Sequence, residues 1–132
     1  MLDIIPKIVV LAFTLLALDT IYIGLNRQFI FSQIQSVQNT AIVFRYIPAI
    51  LCYILLLFGL YYFILRTNTT ASTIYDKIRD AFLLGIIIYG VYETTCYATF
   101  KNWTMKMLVM DTLWGGILLA TTTFIFLSMF PK

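Results

Sequence analysis

The chain has 132 residues, 61% hydrophobic and 11% charged, with a net charge of +3. Soluble domains carry about 25% charged residues, and so short a chain cannot hide this much apolar surface inside itself, so a soluble domain is excluded and lipid is the remaining sink. The positive charge is small and scattered, which makes no nucleic-acid patch and fits flanking charges at a membrane surface.

The first apolar run extends from Ile8 to Leu25 and contains Asp19. It is too long for a signal-peptide core, holds an acid, and is followed by no small-residue cleavage site, so it reads as a retained helix over roughly residues 5–25. The next segment, Asn26 to Thr40, mixes Gln28, Gln33, Gln35 and Gln38 with Phe29, Ile30, Phe31, Ile34 and Val37. That mixture predicts a short helix lying in the membrane interface. A second apolar run predicts a spanning helix over about 41–65, capped by Asn39 or Thr40, ended at Arg66, and open to a kink at Pro48. Thr73-Ile-Tyr-Asp76 is a capping-box-like start for a third helix, 74–100, and the fourth covers 107–130. The runs are near the roughly 20 residues that cross a bilayer. Unpaired backbone is not tolerated in lipid, so such runs are helical. The expected fold is all-α: a four-helix transmembrane bundle forming one integral membrane domain, 1–132, with a short interfacial helix between its first two spans.

Orientation rests on nine basic residues. Lys7, Arg66, Lys77, Arg79 and Lys132 fall on the side of the termini, and Arg27, Arg45, Lys101 and Lys106 on the other. The positive-inside rule then favours cytoplasmic termini by one residue. The sequons at Asn68 and Asn102 fall on opposite sides and decide nothing.

Cys52 and Cys96 sit in apolar runs, form no CxxC pair, and read as free thiols. Without histidine, the usual haem ligand and most zinc and copper sites are missing. No cofactor and no metal is indicated.

Three carboxylates lie within the apolar runs: Asp19, Glu93 and Asp111. Each costs roughly 2.5–3.5 kcal/mol at membrane depth on insertion scales. At about 1.5 Å per residue, Asp19 lies about 9 Å before the end of its run, Glu93 about 10 Å before Phe100, and Asp111 about 6 Å after Met107. These three ends face one side of the bilayer, so the acids share a leaflet. Arg45 opens a helix on that side and is the expected counter-charge. Tyr22, Tyr89 and Trp114 each stand about one turn from an acid, Thr94 and Thr95 can donate to carboxylates or backbone, and Gly115-Gly116 permits close helix approach. Against a functional cluster stands the structural alternative, in which an Asp–Arg pair fixes register and the aromatic residues, Trp103 above all, anchor helix ends at the interface.

The segment Gly90-Val-Tyr-Glu-Thr-Thr-Cys-Tyr-Ala-Thr-Phe-Lys-Asn-Trp103, with Asp111-Thr-Leu-Trp-Gly115 and Leu18-Asp19, Tyr22 and Gly24, resembles the membrane family designated domain of unknown function 2177. The resemblance covers nearly the whole chain and implies a four-helix membrane fold with no activity attached. Glu93 stands where that family usually has Asp, and Cys96 where it has Asn.

The acid cluster suits a proton/cation or small-solute transporter or channel-like protein, with Asp19, Tyr22, Arg45, Tyr89, Glu93, Asp111 and Trp114 as candidate ligand- or ion-binding residues. The alternatives are a lipid-binding or lipid-modifying membrane enzyme and an assembly subunit of a larger complex. The missing histidine base and short loops lean against an enzyme. Expected partners are membrane lipids, a proton or cation, and a second copy or another membrane subunit, but not nucleic acid.

Overall fold

The computed structural model describes residues 3–66 and 73–130, and the Asn68 sequon lies outside them. Five helices follow one another: α1 (Ile4–Leu25), α2 (Arg27–Gln38), α3 (Tyr46–Leu60), α4 (Ile74–Thr99) and α5 (Met105–Met129). α3 runs on through a wider turn, Tyr61–Leu65, in which the Arg66 N–H donates to the Tyr61 carbonyl at 2.9 Å. α1, α3 with this turn, α4 and α5 are each long and apolar enough to cross a membrane. Four crossings return Met129 to the side of Ile4.

Local chemistry sets the boundaries. α2 begins one residue after α1 and ends at Asn39, whose φ of 62° is the left-handed conformation that closes a helix. α3 starts at Tyr46, five residues later than the apolar pattern predicts. Its third residue is Pro48. Proline lacks an N–H but costs little in a first turn, where N–H groups have no helical partner, so here it starts the helix and does not kink it. The Thr73–Asp76 capping box closes reciprocally, Asp76 N to Thr73 Oγ1 and Thr73 N to Asp76 Oδ2, both at 3.1 Å. Thr104 caps α5 by accepting from the Met107 N–H at 3.2 Å.

α5 is the most buried of the four spans, and α4 is its principal partner. Glycine permits their closeness. A Cβ on Gly85 would lie 2.6 Å from the Gly115 carbonyl carbon and 2.9 Å from Gly116 Cα, while one on Gly116 would meet the Phe82 ring at 2.8 Å. Without side chains at the crossing, the two backbones pack directly, as small residues allow in membranes.

Two apolar clusters divide the interior. The larger holds Leu11, Leu15, Leu60, Leu118 and Leu119, each at most 1% exposed. The smaller holds Ile30, Cys96, Trp103 and Met107, with α2 packed against it. In chain order on α1, α4 and α5, the three acids fall between these clusters.

Candidate functional site

Asp19 comes from α1, where it is buried beyond Leu11 and Leu15 on the same face. Two donors satisfy it: the Tyr53 hydroxyl from α3, and Trp114 Nε1 from α5 at 3.0 Å to Oδ1. The Trp114 indole also stacks on the Tyr22 ring, centroids 4.5 Å apart and planes within 2°. Tyr22 in turn directs its hydroxyl to Asp111 Oδ1 at 3.3 Å. One aromatic pair therefore links two of the acids.

Glu93 is fully buried on α4. Its Oε1 accepts from Trp103 Nε1 at 2.8 Å, but Oε2 meets no donor. Across the α4–α5 crossing it faces the Asp111 carboxyl within hydrogen-bonding reach. Both groups are acceptors when ionised, so the pair is stable only with a proton held between them or a cation beside them.

α2 covers this end of the bundle through Gln33, which is 4% exposed. Gln33 Nε2 donates to the Asn102 carbonyl at 2.8 Å, and its Oε1 accepts from Thr104 N at 3.1 Å and Thr104 Oγ1 at 2.6 Å. Asn102 Nδ2 returns a bond to the Ser36 carbonyl at 3.1 Å. These bonds pin the α4–α5 loop beneath α2 and carry the Trp103 indole inward to Glu93.

The expected residues divide clearly. Asp19, Tyr22, Glu93, Asp111 and Trp114 come together, and Tyr89 packs its ring against Gly115 beside them. Arg45 does not join them. It precedes α3, is exposed, and forms no ion pair among the described residues, because the late start of α3 leaves it outside the bundle. Arg79 forms ion pairs with Asp76 and Asp80 at the other end of α4. Arg27 and Lys106 lie over the Phe31 and Phe29 rings. Thr94 and Thr95 donate to the backbone carbonyls of Gly90 and Val91 and leave the carboxylates alone. Trp103 is no surface anchor but a buried donor, and Tyr53 is a further partner that sequence reading missed. What signals Trp103 in the sequence is its place in a loop too short to carry it far from Glu93.

No three His, Cys, Asp or Glu residues form a metal-holding group among the described residues. A cleft of about 390 Å³ opens between α3 and α4, lined by Cys52, Leu56, Ile88, Tyr89 and Tyr92, and reaches Asp111.

A family described as predicted membrane protein, DUF2177, matches residues 4–127. No curated protein and no solved structure matches the chain.

Proposed function

The chain belongs to the DUF2177 family of predicted membrane proteins, and from that premise we propose that it binds a proton or cation at the Glu93–Asp111 pair and carries it across the bilayer. The observation that carries this reading is the charge imbalance. Three carboxyls gather at one level of a membrane bundle, and their bonded partners among the described residues are neutral tyrosine and tryptophan donors. Burying ionised groups without counter-charge is expensive. A proton or cation removes that cost, and exchange of one for the other is the elementary step of a carrier.

The three acids divide the work. Asp19, held by two donors, is the fixed element that orients Trp114 and so Tyr22. Glu93 and Asp111, with an acceptor left over, are the exchangeable pair. The leucine layer of Leu11, Leu15, Leu60, Leu118 and Leu119 fills the bundle on the far side. Such packing favours a carrier that opens to each side in turn over a continuously open channel. Sealed liposomes holding the purified protein and an internal pH dye test the reading. Proton movement driven by a cation gradient is expected from the parent and not from Asp111→Asn. Equal flux from both, or none from the parent under any gradient, refutes it.

A further inference from the structure

Resting on that reading, we infer that the cleft between α3 and α4 is the entry and binding site for a long-chain primary amine, whose ammonium group docks on Asp111, the carboxyl that the cleft reaches in front of the buried Glu93, while its tail stays in lipid. The cleft volume, about 390 Å³, lies in the usual range for small-molecule sites, roughly 300–1,000 Å³. Its position names the route. Cys52 on α3 and Tyr92 on α4 are exposed on the outside of the bundle, so the opening faces the acyl chains. Its walls, Leu56, Ile88 and the Tyr89 and Tyr92 rings, are apolar or aromatic, and its inner end is a carboxyl.

The head group follows from what the site lacks. Glu93 Oε2 is buried without a donor, and its neighbour Asp111 is another acceptor. The occupant must therefore bring hydrogen-bond donors together with positive charge. A primary ammonium does so with three N–H groups. A quaternary ammonium has the charge and no donor. A phosphate beside the amine would meet the carboxyl pair with like charge, which excludes the ordinary zwitterionic lipid head group. Tyrosine faces flanking the path also favour a cation.

The two tryptophans of the chain, Trp103 and Trp114, both bond carboxylates of this site, so intrinsic fluorescence reports on it. The test is a fluorescence titration of the protein in lipid nanodiscs with dodecylamine, methylamine, dodecanol and dodecyltrimethylammonium. Dodecylamine is expected to give a saturable change, with methylamine and the quaternary analogue at least tenfold weaker and dodecanol silent. Asp111→Asn abolishes the response. Cys52→Phe, which fills the cleft mouth and removes no carboxyl, weakens it at least tenfold with an unchanged circular dichroism spectrum. If methylamine binds as tightly as dodecylamine, the lateral cleft is overturned while a cation site at the carboxyl pair survives. If no amine responds, or Asp111→Asn responds like the parent, the amine site is overturned and the carrier reading is decided by proton flux alone.

Discussion

Replacing Glu93 by glutamine should make the protein more stable while removing the proposed proton–cation exchange. The parent side chain accepts from Trp103 Nε1 at 2.8 Å and faces a second carboxyl with Oε2 unsatisfied. In Glu93→Gln the amide oxygen keeps the bond from Trp103, and the amide nitrogen supplies a donor to Asp111 across the α4–α5 crossing. Volume hardly changes, so packing terms cancel. An interhelical hydrogen bond in a membrane contributes about 0.6–2 kcal/mol, and relieving a buried unsatisfied acceptor is worth about 1–3 kcal/mol. Part of each gain already exists in any parent molecule that holds a shared proton, so a net stabilisation of about 1 kcal/mol is expected, roughly a fivefold change in the folding equilibrium. Reversible unfolding in mixed micelles, followed by circular dichroism as the SDS fraction rises, measures it. Trp103→Phe is the opposite control, since it strips the donor from Oε1 and should cost about 1–3 kcal/mol. If Glu93→Gln loses 1 kcal/mol or more, the pair is not short of a donor and the charge-imbalance argument fails.

Other perturbations test the scaffold. Gly85→Ala places a methyl against the backbone of Gly115 and Gly116, which cannot yield as a flexible side chain would; α4 and α5 must part, and a loss of about 1–3 kcal/mol is expected in the same micelle assay. Because Glu93 and Asp111 lie on those two helices, flux should fall with it. Gln33→Ala deletes the bonds to Asn102 and Thr104 and should cost about 1–3 kcal/mol. Hydrogen exchange should then quicken first at α2 and the 100–104 loop, and slow exchange there would contradict the anchoring role of Gln33.

The bundle was readable because its physics is one-dimensional: apolar runs of spanning length, broken by polar loops, leave helices as the available form. The acids were readable for the same reason, as charges where charge is costly. What escaped depends on contacts between distant residues. Tyr53 is one tyrosine in an apolar helix, and nothing local says that it reaches Asp19 on α1. Trp103 looks like an interfacial anchor because it follows a helix end; its inward course depends on α2 folding over the loop through Gln33. Gly85 gives no sign of its role until Gly115 and Gly116 are seen opposite. Arg45 failed for a local reason: Pro48 suits a first turn, so α3 starts late and the guanidinium is left outside the bundle. The family resemblance, carried by the residues of α4 and α5, agreed with the matched span of residues 4–127.

Exchange of a proton for a cation at Glu93 and Asp111 is the step proposed for this site. It is tested most directly by adding sodium, potassium, magnesium or dodecylammonium chloride to purified protein in weakly buffered detergent and recording proton release with a pH dye. Release is expected from the parent with at least one of these cations, and none from Glu93→Gln or Asp111→Asn. Equal release from the parent and the variants, or no release with any of the four, would contradict it.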